Sequence, residues 1–173
     1  AIPYAIRLIL TEYFTTAAAT ALAIGTGDFT TLLWCKSTDV TTTQIVLRWG
    51  NTAGSWANQN ANGLYQDAGS WIGHSRTAAE GIKSVSGTAT VNVWEFAVVT
   101  RNGGTVRLYI NGVEVGTPAT GADISITPDG IMRLGAAPSD AAFPIQDALV
   151  TQAAIFNKAL TAAEILNLWN KGR

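Results

Sequence analysis

One cysteine and one histidine stand in 173 residues, and charge is scarce throughout. Each shortage excludes something. A lone Cys35 forms no intramolecular disulfide and no multi-cysteine metal site, and its place in an apolar run makes it a small packing residue. His74 has no second histidine for a zinc site and no evident triad partners, so it reads as a loop histidine on the surface. The 11 basic residues are scattered among 12 acidic ones without a run. That excludes the basic stripe of a nucleic-acid binder and the polybasic patch of a membrane-surface binder. No stretch approaches the ~18 apolar residues of a membrane helix. The opening, Ala1 to Leu10, is apolar but interrupted by Pro3 and Arg7, and does not read as a signal peptide. Charged residues make up 13%, against about a quarter in ordinary soluble domains. The surface must then be neutral and polar, or partly covered by a partner.

What is present is mostly strand signal in a chain long enough for one domain, taken as 1–173. Ile6, Leu8 and Leu10 alternate with Arg7 and Ile9, and Thr30 to Lys36 is a run of Thr, Leu, Trp and Cys. Gln44 to Trp49 sets Ile45, Leu47 and Trp49 on one face and Val46 and Arg48 on the other. Val91 to Thr100 is apolar enough for a strand covered on both faces. Val106, Leu108 and Ile110 alternate up to Asn111-Gly112, and Val113 and Val115 resume the pattern. Both turn residues accept φ > 0, so a type I′ hairpin is expected. A second hairpin is expected at Pro128-Asp129-Gly130, joining 124–126 to 131–134. One helix is expected, at the end. Thr161 and Glu164 form a capping box, Ile165, Leu168 and Trp169 share a face, and Gly172 is placed to stop it.

Three segments carry a resemblance. Asp28 to Lys36, with Phe29, Thr30 and Trp34, is the first. Trp94 to Val99, then Asn102-Gly103, then Val106 to Gly112 (reading V-R-L-Y-I-N-G) is the second. Ala154 to Ile165, with Leu160 and Glu164, is the third. In this order they resemble the concanavalin A-like lectin/glucanase superfamily, in its laminin-G-like branch. The resemblance implies an all-β fold, a two-sheet antiparallel β-sandwich (concanavalin A-like jelly roll) with a short C-terminal helix. Trp34 and Trp94 are then expected between the sheets, and the helix over an edge or end of the sandwich. The chain departs from the family at Thr151, where an Asp is usual, and at Ala148, where a Gly is usual. The departure weakens any rim calcium site; Asp28 and Asp147 are the acids left for one, and nothing in the sequence argues for the ion.

Catalysis by the glycosidase route needs two carboxyl groups flanking the scissile bond. The nearest acids in sequence are Asp123 and Asp129, too far apart to share one strand face as neighbours, and the superfamily's Glu-x-Asp-x-x-Glu pattern is missing. No enzyme and no cofactor are therefore expected. The candidate contact segment lies at 49–74, rich in Trp and Asn. Trp56, Asn58, Asn60, Asn62, Tyr65 and Trp71 suit stacking on sugar faces and pairing with hydroxyls, or an aromatic protein interface. The same residues equally suit a core role for Trp49 and Trp71, with Tyr65 beside them and the Asn residues in turns. Two functions stand open. One is a non-catalytic module docking into a larger assembly, such as a decoration, cement or fibre subunit on a virion or extracellular surface, through a protein partner or self-association. The other is a soluble or secreted carbohydrate-binding lectin.

Overall fold

The computed structural model describes residues 4–9, 12–17, 22–50, 60–77, 81–120, 131–136 and 143–172. They form strands β1 (Ile6–Ile9), β2 (Phe14–Thr15), β3 (Phe29–Ser37), β4 (Gln44–Gly50), β5 (Ala61–Asp67), β6 (Ser70–Thr77), β7 (Gly81–Thr88), β8 (Glu95–Asn102), β9 (Thr105–Ile110), β10 (Val113–Ala119), β11 (Ile131–Leu134) and β12 (Asp147–Phe156), followed by helix α1 (Ala162–Gly172). The strands build two antiparallel sheets. The first runs β1-β12-β3-β8-β9-β10 and the second β2-β11-β4-β5-β6-β7. This is the expected jelly-roll sandwich. The 124–126 arm of the second expected hairpin lies outside the described residues, while its other arm is β11.

The main core lies between the sheets. Phe29, Leu33, Trp49, Leu64, Trp71, Val99 and Leu108 all belong to it. Side chains of this size each stabilise the fold by roughly 1.5–3 kcal/mol when fully buried. Two glycines set the closeness of approach. A Cβ at Gly73 would sit 2.8 Å from Val99 Cγ2, and one at Gly87 would sit 2.5 Å from Val115 Cγ2. Only residues without side chains let the valines of the first sheet reach the second there. β8 begins at Glu95 and is buried on both faces; Val91 and Val93 are instead exposed in the turn before it.

A second, smaller core lies on the outer face of the first sheet. Leu32, Trp34, Phe96, Val98 and Tyr109 form it with Ile165 of α1, and Trp94, Leu160 and Trp169 pack against it. Trp34 stacks on Trp169 with ring centroids 4.8 Å apart. Trp34 and Trp94 are thus not between the sheets, and the helix covers a sheet face rather than an edge or end. The reason is register: Trp34 pairs with Phe96, one residue out of step with the Leu33–Ala97 pair that faces inward.

The local signals behave as their chemistry requires. Asn111 (φ 54°) and Gly112 (φ 83°) both take the left-handed region, giving the type I′ pattern. The Asn111 side chain accepts the Phe96 amide at 2.9 Å, so the turn is tied to the start of β8. At α1, Thr161 Oγ1 accepts the Glu164 amide at 3.2 Å, and Glu164 Oε2 accepts the Thr161 amide at 2.7 Å. Lys158 adds an ion pair to Glu164 at 2.6 Å. Together these hold the Glu164 carboxyl down to about 2, the Lys158 contact first.

Candidate functional site

The two outer faces of the sandwich differ. The first is occupied by α1. The second is defined by register, because directly paired residues of antiparallel strands share a face. Leu47, Leu64, Gly73 and Val85 pair in one row across β4 to β7, and the row points into the core. The row one residue along points outward. It runs Thr15, Arg133, Arg48, Gly63, His74, Ser84, from β2 to β7. Flanking rows add Tyr65, Ile72 and Ser86 on one side and Ile131, Gly50, Ala61 and Arg76 on the other.

Three guanidinium groups and the single imidazole therefore share this face. Arg48 and His74 lie beneath the surface, at 0% and 3% exposure. Arg76, Arg133 and Tyr65 are half-buried, and Ser84 and Ser86 are exposed. Tyr65 meets His74 edge-on with ring centroids 5.3 Å apart. The Arg133 guanidinium lies 4.7 Å over the Tyr13 ring. Gly63 separates Arg48 from His74 in the row. A Cβ there would sit 2.2 Å from the Leu47 carbonyl oxygen, so the position is closed to any side chain.

The electrostatics follow from this crowding. Burial pushes His74 well below its ordinary 6.5, and Arg48 and Arg76 push it further. The ring is neutral at physiological pH. Burial and then the Asp67 carboxylate raise the Tyr65 hydroxyl, while Arg76 and Arg48 oppose the rise. Asp67 is the acid that the described part of this face carries, and it accepts the Thr43 hydroxyl at 2.6 Å.

A second feature lies at the sandwich edge. β1 and β2 are edge strands of the two sheets and lie close together in sequence. Tyr4, Ile6, Ile9, Tyr13 and Phe14 are exposed there. A cavity of about 460 Å³ is lined by Arg7, Leu8, Glu12, Tyr13 and Phe14. A neighbouring one of about 390 Å³ is lined in part by Tyr4, Ile6, Leu134 and Thr151.

A family model for the concanavalin A-like lectin/glucanases superfamily matches residues 11–166. The chain belongs to that superfamily. Comparison with curated proteins found no match. Among solved structures, this concanavalin A-like chain is similar to the CBM40 of the Ruminococcus gnavus IT-sialidase bound to α2,3-sialyllactose, with TM-score 0.76, 16% identity and 95% of each chain covered. It is also similar to the binding domain of Paraclostridial Mosquitocidal Protein 1, with TM-score 0.75, 16% identity, and 96% of this chain and 43% of that one covered. A structure of botulinum neurotoxin type C, whose cell entry depends on two ganglioside molecules, gives TM-score 0.74 and 15% identity, covering 100% of this chain and 44% of that one. The chain spans less than half the length of the toxin chains. At these identities the likeness is one of fold.

Within the concanavalin A-like framework the sequence-derived candidates scatter. Tyr65 reaches the outer face of the second sheet, and Asn60 is half-buried just before β5. Trp56 and Asn58 lie outside the described residues. Trp71 and Asn62 do not offer a surface: both are 0% exposed and point inward. Trp71 donates its indole N–H to buried Glu95 at 2.7 Å, and Asn62 stands beside Trp49 in the register. The core role left open for Trp49 and Trp71 is the one they take. His74 is also not a loop residue but a buried member of β6. The acids weighed for a rim ion are engaged otherwise. Asp147 receives both Nε and Nη2 of Arg7, at 3.0 and 2.9 Å, and Asp28 accepts the Gly103 amide at 2.9 Å. Thr151, in place of the family's Asp, donates to the Tyr4 carbonyl at 2.6 Å. Sequence reasoning missed Arg76 and Arg133 altogether, since they sit 57 positions apart and meet only through sheet order. The one legible sign was Arg48, set opposite Trp49 by strand alternation.

Proposed function

We propose that this chain is a non-catalytic binding module that recognises a glycan on the outer face of the β2-β11-β4-β5-β6-β7 sheet. The observation that carries the reading is the inequality of the two outer faces. One is filled by α1, and the other presents Tyr65, Arg76, Arg133, Ser84 and Ser86 at or near the surface. An aromatic ring beside hydrogen-bonding groups on a sheet face matches what a sugar offers, apolar C–H faces and a rim of hydroxyls. The solved structures with this fold include one holding sialyllactose and one of a protein whose entry into cells depends on gangliosides. Trp56, Asn58 and Asn60 are proposed to add contacts from the segment leading into β5. A glycan-binding screen tests this. Specific binding, weakened at least tenfold in Tyr65→Ala and Trp56→Ala, is the expected result. Binding to no glycan in the screen overturns it.

A second reading is favoured by a separate observation, the apolar edge at Tyr4, Ile6, Ile9, Tyr13 and Phe14. On this reading the module docks into a larger assembly, such as a virion decoration or fibre, through that edge. Light scattering on a sizing column across a concentration series tests self-association. A trimer or larger, lost in a Phe14→Ser, Ile6→Ser double variant, supports it. A monomer at all concentrations removes self-association.

A further inference from the structure

Among the described residues, Gln152 is the one non-glycine residue inside a strand that takes a positive φ, at 51°. That region is easy for glycine and costly for a residue with a Cβ. A bulge puts Gln152 there. Thr151 pairs with Trp34 and Ala154 with Leu32, so Gln152 and Ala153 both stand opposite Leu33. The extra residue reverses the alternation of β12. Val150 faces the main core before it, and Ala154 packs on the outer core after it. The ladder with β1 stops at Ile6–Val150, just short of the bulge. Where it stops, between Tyr4 and the bulge, lies the cavity of about 390 Å³. From the strained residue and the cavity together we infer that the β12 bulge is a binding site for a neutral sugar, with Gln152 as its hydrogen-bonding group and Tyr4 as its stacking ring. The site lies away from the outer face of the second sheet and rests on neither reading above.

The lining selects the ligand. Leu134 and Val150, both buried, give the cavity an apolar floor, and Ile6 extends it toward solvent. Tyr4 stands at its rim, 85% exposed, with a ring face open to a partner. Gln152 is exposed on the opposite rim, and among the described residues no hydrogen bond holds its amide. The Thr151 hydroxyl is spent as a donor on the Tyr4 carbonyl, at 2.6 Å, which ties the two rims together. None of the described residues around the cavity carries a charge. An anion or cation entering it would lose water and gain no counter-charge, so a charged ligand is disfavoured. A sugar ring offers what the lining lacks: apolar C–H faces for Tyr4 and the floor, and neighbouring hydroxyls for an amide that both donates and accepts. The volume falls at the small end of the roughly 300–1,000 Å³ of ligand sites, which suits a terminal sugar and not a long chain. A backbone strained at an exposed polar residue, where glycine would sit freely, is the mark of a side chain kept for contact.

Amide resonances of the isotope-labelled full chain, followed as sugars are added, test the inference. The probes are the methyl glycosides of glucose, galactose, mannose and N-acetylglucosamine, with glucuronic acid as the charged control. At least one neutral probe should shift the backbone amides of 151–153 and the Gln152 side-chain amide saturably, and glucuronic acid should bind at least about tenfold more weakly than that probe. Gln152→Gly removes the amide and suits the backbone, so it should weaken binding about tenfold, the worth of one or two neutral hydrogen bonds, while the urea midpoint holds or rises. Gln152→Asn keeps an amide in a residue that tolerates the same φ, and should recover part of the affinity. Tyr4→Ala should weaken binding about tenfold, and Tyr4→Phe should keep most of it. No shift at 151–153 with any neutral probe overturns the inference, as does binding that Gln152→Gly leaves unchanged. A lower urea midpoint in Gln152→Gly also overturns it, because the side chain would then serve the fold. Sugar-induced shifts at Tyr65 with none at 151–153 overturn this site and leave the glycan reading of the second sheet standing. Shifts in β1 that depend on protein concentration alone, with no response to sugar, assign the edge to a second chain and overturn the sugar site.

Discussion

Trp71→Phe should separate a core role for this tryptophan from a contact role. Its indole N–H donates to Glu95 Oε2 at 2.7 Å, and the Thr90 amide donates to the same oxygen at 3.1 Å. Both side chains are buried, Trp71 at 0% and Glu95 at 4% exposure. Phenylalanine removes one of the two donors from a buried carboxylate, which costs about 1.5–3 kcal/mol. The smaller ring also leaves roughly 35–40 Å³ unfilled, and at about 24 cal/mol per Å³ this adds about 0.9 kcal/mol. The expected loss is therefore about 2.5–4 kcal/mol, within the usual 5–15 kcal/mol of a domain, so the variant should still fold. Urea denaturation followed by tryptophan fluorescence should show a lower midpoint with an unchanged slope. In the Trp71→Phe background, Glu95→Gln should cost at least about 1 kcal/mol less than in the native protein, because the two residues act as one unit. A loss below about 1 kcal/mol, or additive behaviour of the pair, would refute the reasoning. Loss of glycan binding without loss of stability would return Trp71 to the surface.

Other perturbations give equally definite outcomes. Gly63→Ala places a methyl 2.2 Å from the Leu47 carbonyl, so β4 and β5 must part, and a loss of at least about 2–3 kcal/mol in urea is expected. His74 is held well below 6.5 in the folded chain, so below about pH 6.5 the unfolded chain takes up a proton that the native one refuses. Stability should fall as pH drops from 7 to 5, and His74→Gln should flatten that part of the slope; an unchanged slope would show that the ring titrates freely. Glu164, held to about 2, contributes its stabilisation in full above its ordinary 4.5 and loses it as pH falls toward 2. Protection of the amides in 162–172, taken relative to their intrinsic exchange rates, should fall over that range, and Glu164→Gln should remove that pH dependence. Cys35, buried and pushed up to about 12, should react with a thiol reagent only at the rate of unfolding.

Most of the fold was legible because its signals are local. Asn111-Gly112 and the Thr161–Glu164 box each specify a geometry through a few neighbouring residues, and the structure shows both. What could not be read was which face of a strand meets which neighbour. Trp34 looks like a core residue in sequence, and it is buried, but under the helix instead of between sheets. His74 looked exposed because polar residues surround it, yet it is a buried member of β6. The shared face of the three arginines was hidden because it depends on sheet order. Arg48, Arg76 and Arg133 belong to three strands, and the order β11-β4-β5-β6 that brings them together depends on pairings far apart in the chain. The Trp- and Asn-rich segment drew attention to itself by density, yet among its described residues strand alternation sends Asn62 and Trp71 inward and Tyr65 outward.

The position of β12 has a bearing on how the molecule is made. β4 to β7 follow one another as successive neighbours, so most of the second sheet can assemble while later residues are still in the ribosome. The first sheet cannot. Its β12 sits between β1 and β3, joining Ile6 to Val150 and Trp34 to Thr151. Until that strand emerges, β3 stands as a bare edge with Thr30, Thr31 and Leu32 unpaired on one side, and β1 has no sheet to join. Closure over so long a loop is slow, and an open apolar edge recruits other chains. Strand β12 thus acts as the latch of the first sheet. Chains cut short before residue 147 should gather into aggregates rather than wait as folding intermediates.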